Sequence, residues 1–200
     1  MNIVQIGTCI GNDSLTKIIK SSSHIDKLVL VEPMEVHNVK IQSFYTDQPY
    51  IIENSAIITD PNKKYVSFFY HKEDGPNYEV SSVNKEHILK HVIYNNKLTE
   101  EGIVELSVPA LTINNLFEKH NLYHIDFLHI DAEGIDDQII MSIDFEKYNI
   151  EKIYFEHQHI DVDNIVNFLN TKGYSSSTAG DWNQDILAKK INSKPLITSL

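Results

Sequence analysis

Arginine is missing from this chain, whose seventeen basic residues are all lysines and are outnumbered by 28 acidic ones. The formal net charge of -11 gives the surface a negative mean potential, which repels phosphate polyanions. The forked two-point contacts that arginine makes with phosphate or guanine are lacking as well. We therefore expect no nucleic-acid partner.

Cysteine and long apolar runs are equally scarce. Cys9 is the sole cysteine, so the chain cannot form an internal disulfide. No apolar stretch approaches the roughly 20 residues that span a bilayer, and the N-terminus lacks the basic flank and apolar run of a signal peptide. These absences predict a cytoplasmic protein without membrane insertion.

Glycine, proline and low-complexity segments are also few, whereas 42% of the residues are apolar. This composition is typical of an ordered protein with one sizeable core, and a chain of 200 residues usually forms one domain. We therefore predict a single domain over residues 1–200. No feature of the sequence defines an oligomeric state.

Short apolar runs that suit buried strands alternate with segments of helical spacing. The run Ile3, Val4 and Ile6 is followed by a glycine turn and a helix, and residues 28–31 continue the pattern. This alternation predicts an α/β fold with a doubly wound, mostly parallel sheet and helices on both faces. Residues 174–178 and 186–190 predict an antiparallel hairpin at one edge.

A less regular stretch interrupts the alternation at about residues 57–95. Residues 56–58 and 66–70 resemble two strands of a hairpin that turns at Asp60, Pro61 and Asn62. Residues 71–84 are polar and predict a loop suited to a substrate lid, and residues 85–93 have helical spacing. We therefore predict a hairpin, loop and helix inserted into the domain.

The segment QIGTCIGND places Gly7 and Gly11 between the first strand and its helix, where backbone without side chains can approach a ligand. Further on, Glu32 ends the second strand, and an acidic group there can accept hydrogen bonds from a ribose diol. The glycine spacing is neither that of dinucleotide-binding enzymes nor that of P-loop proteins. An adenosine-type ligand without a pyrophosphate is predicted; the alternative is an ordinary tight turn.

A second constellation, HIDAEG, follows the apolar run of residues 125–130. Asp131 and Glu133 stand there at the edge where open α/β sheets bind ligands, so both acids are candidates for contact with a polar group. The alternative is that Asp131 only caps the helix that starts near Gly134.

A third constellation, FEHQHID, contains Glu156, His157, His159 and Asp161. Glu156 and His157 suit general-base chemistry, whereas solvated loop histidines are the simpler explanation. If the chain stays extended, His157, His159 and Asp161 share a face that could hold a metal ion. This metal-binding enzyme is an alternative only, and the favoured prediction assigns no metal ligand.

Six segments, taken in order, resemble the successive motifs of the FkbM family of methyltransferases. They are VQIGTCIGNDS, LVLVEP, ENSAI, VPALTINNLF, IDFLHIDAEGID and IYFEHQ, and they span almost the whole chain. The resemblance implies a Rossmann-like class I methyltransferase that binds S-adenosylmethionine over the glycine turn. It also implies a seven-stranded, mostly parallel sheet with one antiparallel edge strand.

By that resemblance, the turn from Gly7 to Gly11 passes under the methionine part of the cofactor, Glu32 holds the ribose, and Ser55 and Ala56 border the adenine. The implied cofactor-binding residues are Gln5, Gly7, Thr8, Gly11, Asn12, Asp13, Glu32, Pro33, Ser55, Ala56 and Asp131. The implied catalytic residues are Asp131, Glu133, Glu156 and His157. Gln5 departs from the family pattern, which has an acidic residue there, and His129 replaces the usual lysine.

The function predicted from these residues is S-adenosylmethionine-dependent methylation. The expected acceptor is a hydroxyl on a sugar, a glycan or a small-molecule metabolite, so the expected partner is a small molecule or glycan. Such a transfer needs positioning and removal of the acceptor proton, and no covalent enzyme intermediate. Because Gln5 lacks the charge of the usual acid, a methyltransferase-fold binding module that no longer catalyses transfer is the alternative.

Overall fold

The computed structural model describes residues 1–12, 14–22, 24–46, 49–75, 77–95, 97–180 and 183–191. Its largest element is a seven-stranded sheet. The strands are β1 (Asn2–Ile6), β2 (Lys27–Val31), β3 (Ile51–Glu53), β9 (Phe127–Ile130), β11 (Lys152–Glu156), β12 (Tyr174–Ala179) and β13 (Asp185–Lys190). Their order across the sheet is β12-β13-β11-β9-β1-β2-β3.

The seven-stranded sheet is mixed. The strands β3, β2, β1, β9 and β11 pair in parallel, whereas β13 pairs antiparallel with both β11 and β12. The predicted hairpin at one edge is therefore present. The sheet as a whole is mixed and not the mostly parallel sheet that we expected, because the hairpin adds two antiparallel pairings.

Helices cover both faces of this sheet. The α-helices are α1 (Ser14–Ser21), α2 (Asn38–Phe44), α3 (Lys85–Tyr94), α4 (Ile113–Lys119), α5 (Asp136–Met141) and α6 (Val162–Thr171). Ile3 belongs to the core cluster that contains residues of α1 and α2, while its neighbour Val4 belongs to the cluster that contains residues of α4, α5 and α6. This division follows from the alternation of side chains along a strand.

The helices are short, and no helix of the described residues is both long enough and apolar enough to cross a membrane. A 3-10 turn at Glu35–His37 precedes α2. Val36 and Val39 are exposed, whereas Ile41 of α2 packs into the core.

A second sheet lies between β3 and α4 in the chain. Its strands are β4 (Ala56–Ile58), β5 (Tyr65–His71), β6 (Ser81–Ser82) and β7 (Ile103–Thr112), in the order β4-β7-β5-β6. The predicted hairpin of β4 and β5 is wrong, because β7 lies between them and pairs with both. The single domain and the insertion at residues 57–95 stay predictions.

Two short strands, β8 (His124–Ile125) and β10 (Asn149–Ile150), complete the set. The predicted strand over residues 125–130 is thus divided at Asp126, whose carboxylate accepts a hydrogen bond from the amide of Asn2. That contact ties the start of β9 to the start of β1.

Glu53 fixes the end of β3 beside the C-terminus of α4. Its carboxylate contacts Lys119 Nζ at 2.7 Å, His120 Nε2 at 3.0 Å and Ser55 Oγ at 3.0 Å. Burial raises the pKa of Glu53, but the hydrogen bonds from these three groups outweigh it and hold the pKa below its ordinary value. The interaction orders the chain that leads from β3 into Ser55.

Replacement of Glu53 by glutamine is expected to lower the free energy of unfolding at pH 7 by about 1–3 kcal/mol, because charge-assisted hydrogen bonds are lost. The lowered pKa means that this stabilisation is present above the unfolded-state pKa and is lost as the pH falls through the folded-state value. Urea unfolding between pH 7 and pH 3 measures the difference. Equal pH dependence in the two proteins would contradict the assignment.

Candidate functional site

A cavity of about 410 Å³ opens at the carboxyl ends of β1, β2 and β9. This volume lies within the range of small-molecule sites. Nine of the residues predicted from the sequence line it: Gly7, Thr8, Asn12, Glu32, Pro33, Ser55, Ala56, Asp131 and Glu133. The strand ends thus bring together residues that are up to 126 positions apart in the sequence.

Gly7 places the first turn directly against the end of β9. It has a φ of 78°, and a Cβ added to it would lie 1.7 Å from the backbone carbonyl oxygen of Asp131. The amides of Gly7 and Thr8 both donate to the carbonyl of Val31, each at 3.1 Å. Because no side chain fits between these backbones, only glycine allows the turn to form this wall of the cavity.

Glu32 is buried at the end of β2, and its carboxylate ties three segments together. One oxygen accepts the amide of Cys9 at 2.8 Å, and the other accepts the amide of Met34 at 2.8 Å and lies 3.2 Å from His37 Nδ1. A carboxylate has about four acceptor sites, so Glu32 keeps capacity for a ligand on the cavity side. It therefore orders the cavity wall as well as facing the cavity.

The segment after β9 forms a strained turn. Glu133 has a φ of 52° although it is not glycine, and Gly134 follows with a φ of 93°. The carboxylate of Asp136 accepts hydrogen bonds from the amides of Ala132 and Gly134, at 3.1 and 3.3 Å. Strained non-glycine residues of this kind concentrate at functional sites, where the surrounding structure holds them.

Asp136 is the residue that sequence reasoning missed in this turn. We considered Asp131 as a helix cap, but Asp136, in the first turn of α5, satisfies the amides of the turn. The signal was available, because an acidic residue at the start of a helix suits its exposed amides. The side chain of Asp131 is left for the cavity.

Carboxyl groups crowd this side of the cavity. Burial raises the pKa of Glu156 to about 8 and that of Asp136 to about 6, and the charge of Glu133 acts in the same direction on both. Burial and then the charge of Glu133 raise the pKa of Asp131 well above its ordinary value. No salt bridge joins Asp131, Asp136 or Glu156 to a lysine within the part of the chain that the structure describes.

Four predicted site residues do not line the cavity, and a fifth lies outside the described residues. Gln5 is fully buried in β1, and Gly11 packs against the ring of Tyr45. Glu156 is near enough to Asp131 for its charge to raise the pKa of that residue, and His157 Nε2 contacts the carbonyl of Asn183 at 2.8 Å. The residue outside the described part is Asp13.

The structure does not bring His157, His159 and Asp161 together. Asp161 caps α6 by accepting the amide of Asn164, and His159 packs edge-on against the ring of His87. The expectation that the three share a face is wrong, because the chain turns after β11 and does not stay extended.

Residues of the predicted polar loop also reach the cavity. Asn77, Glu79 and Ser81 line it, and the carbonyl of Asn77 lies 3.8 Å from the sulfur of Cys9. Burial, followed by the charge of Glu32, raises the pKa of Cys9 to about 12, so the thiol is neutral at physiological pH. No sequence motif marks these contacts, because they depend on how the second sheet packs.

The family model described as the methyltransferase FkbM domain matches residues 5–176 of the chain. The match includes the glycine turn, Glu32, the D-x-E-G turn and the end of β11. Neither a curated protein nor a solved structure matches the chain significantly.

Gly7→Ala is expected to lower the free energy of unfolding by about 3 kcal/mol or more, because its Cβ collides with the Asp131 carbonyl and the backbone conformation is strained. Gly75→Ala is the matched control: its φ of 67° is similar, but no atom lies within 4 Å of the added Cβ. That variant should lose only about 1 kcal/mol. Equal losses in urea unfolding would show that the close contact has no energetic importance.

Proposed function

The chain belongs to the FkbM methyltransferase family, and we propose that it transfers a methyl group from S-adenosylmethionine to a hydroxyl of a sugar, glycan or small-molecule metabolite. The observation that carries this proposal is the cavity at the strand ends, whose wall includes the glycine turn, Glu32 and the D-x-E-G turn.

The strand order also supports a Rossmann-like fold. The chain crosses to one side from β1 to β2 and to the other side at β9, and ligands bind at such a switch point.

The chemistry of the wall suits S-adenosylmethionine in each of its parts. The Oγ1 atom of Thr8 is buried at the cavity and has no hydrogen-bond partner within the described residues, so a polar ligand group would satisfy it. Glu32 can accept from the ribose diol, and Ser55 and Ala56 can border the adenine. When bound, the cofactor supplies an electrophilic methyl group on a sulfonium.

Asp131 and Glu133 supply negative charge where the cofactor and the acceptor would meet. Gln5 lies inside the sheet, away from the wall, so the ammonium of the cofactor would be held by the carboxylates of the wall. Because its pKa is raised, Asp131 is a stronger base than an ordinary aspartate. We assign to Asp131 the orientation of the acceptor hydroxyl and the acceptance of its proton during in-line transfer.

Glu156 acts on this step through Asp131 and not by contact with the cavity. Its charge is one of those that raise the pKa of Asp131. A positioning role of this kind differs from the catalytic role that we predicted from sequence. His157 has its own partner in the Asn183 carbonyl, so we assign it no step.

The wild-type protein is expected to bind S-adenosylhomocysteine with micromolar affinity, and Glu32→Gln is expected to bind at least about tenfold more weakly, since a charged hydrogen bond contributes about 1.5–3 kcal/mol. Isothermal titration calorimetry measures both. Glu35→Gln is the control, because Glu35 is a nearby exposed glutamate. Circular dichroism verifies the fold of Glu32→Gln, whose carboxylate also binds backbone amides.

Two outcomes separate this proposal from a binding module that has lost catalysis. Binding of S-adenosylhomocysteine together with label transfer from methyl-labelled S-adenosylmethionine to hydroxyl compounds supports the enzyme. Binding without transfer to any acceptor supports the binding module. A folded protein that binds no S-adenosylhomocysteine contradicts the proposed cofactor.

Turnover is expected to rise with pH as Asp131 loses its proton. In Glu156→Gln a neighbouring negative charge is absent, so the pKa of Asp131 falls and the midpoint of the pH–rate profile moves to lower pH. Asp131→Asn should lose turnover about 100-fold or more when the two proteins are compared at saturating S-adenosylmethionine. An unshifted midpoint in Glu156→Gln, or full activity in Asp131→Asn, would refute these assignments.

A further inference from the structure

At the edge of the proposed transfer site, two histidines cluster with Glu133, one of the carboxylates of the cavity wall. His87 lies in α3, Glu133 in the turn after β9, and His159 in the turn after β11. One ligand-type atom of each lies within 4.8 Å of the others. Three separate segments thus converge on one point, although 72 positions separate the first residue from the last.

The distances suit coordination of a single ion. His87 Nε2 and Glu133 Oε2 are 2.9 Å apart, and the rings of His87 and His159 lie 4.6 Å apart at 77°. Two atoms that each lie about 2.1 Å from a tetrahedral ion are roughly 3.4 Å apart. His159 is exposed and can rotate, so a small adjustment of its side chain brings all three atoms within range.

The two ligands at the 2.9 Å contact are held by one chain of hydrogen bonds. Ser82 Oγ donates to the carbonyl of Glu133 at 2.7 Å and accepts the amide of Asn84 at 2.9 Å. Asn84 caps α3, and its carbonyl accepts the amide of His87 at 3.1 Å. These bonds fix the backbone positions from which the side chains of His87 and Glu133 extend.

The electrostatic surroundings favour a cation. Glu133 contributes negative charge to a crevice that also contains Asp131, Asp136 and Glu156. A dication would offset the mutual repulsion of the carboxylates.

We propose that His87, Glu133 and His159 bind a first-row transition-metal dication such as zinc. Two imidazoles and one carboxylate are the ligand types of zinc and its neighbours, whereas magnesium and calcium prefer oxygen ligands alone. Three protein ligands leave one position open for water or substrate, which is typical of catalytic rather than structural zinc sites. Glu133 also lines the cavity, so the ion lies at its edge.

The open position gives the ion a defined relation to the proposed methyl transfer. An acceptor hydroxyl bound there would become more acidic, and its proton would leave more readily. This further role rests on the proposed function. Metal binding by itself does not, because it is measured without S-adenosylmethionine.

The test is titration of chelator-treated full-length protein with cobalt(II), monitored by visible absorption. We expect one equivalent to bind and zinc to displace it, while magnesium does not compete. His159→Ala and Glu133→Gln should each weaken cobalt binding at least about tenfold. His159 is exposed, and glutamine has the same backbone preferences as glutamate, so neither variant should fail to fold; circular dichroism checks this.

Two histidine variants serve as matched controls. His91→Ala removes a histidine one turn further along α3 that contacts Asp74 at 3.0 Å, and His157→Ala removes the other histidine of the H-x-H segment. Both should bind cobalt as the wild type does. Absence of binding, or unchanged binding in His159→Ala and Glu133→Gln, overturns the proposal. Loss of binding in His91→Ala or His157→Ala equal to that in His159→Ala also overturns it.

Failure of the metal site and failure of the proposed function are distinguishable. Binding of S-adenosylhomocysteine without binding of cobalt would contradict only the proposed metal site. Binding of cobalt through these three residues without binding of S-adenosylhomocysteine would support the metal site and contradict the proposed function.

Discussion

The contact between the backbones of Gly7 and Asp131 is the constraint on which the whole site depends. The two segments approach so closely that a Cβ on Gly7 would lie 1.7 Å from the Asp131 carbonyl oxygen. This approach aligns the turn after β1 with the turn after β9 and leaves the cavity between them and Glu32. The chain therefore forms the site from the ends of parallel strands, where backbone amides and acidic side chains meet.

Charge is the second constraint, and it acts against stability. Asp131, Asp136 and Glu156 lie close together without a lysine partner among the described residues, and burial, followed by the charges of neighbouring carboxylates, raises their pKa values. A fold retains such an arrangement most readily when a cation offsets it. The sulfonium and ammonium of the proposed cofactor would do so, and so would the proposed metal ion.

Local patterns predicted most of the strands and helices, together with the residues of the cavity wall that follow strands. Glu32 and Asp131 are examples, because the end of a buried parallel strand determines where the next side chain lies. The error in the second sheet arose because strand pairing depends on distant parts of the chain. The strand β7 separates β4 from β5, and it follows β5 by more than 30 residues. Such a pairing leaves no local signal.

The sequence alone determined the alternation of strands and helices, the glycine turn, the acidic ends of two strands and the family, because each of these depends on neighbouring residues. Only the tertiary structure decided which polar groups meet. His159 lies beside His87 and Glu133, and it does not cluster with His157 and Asp161. The amides of the D-x-E-G turn donate hydrogen bonds to the carboxylate of Asp136. The reason is physical: these contacts join segments tens of residues apart, and their geometry follows from the packing of one sheet and its turns.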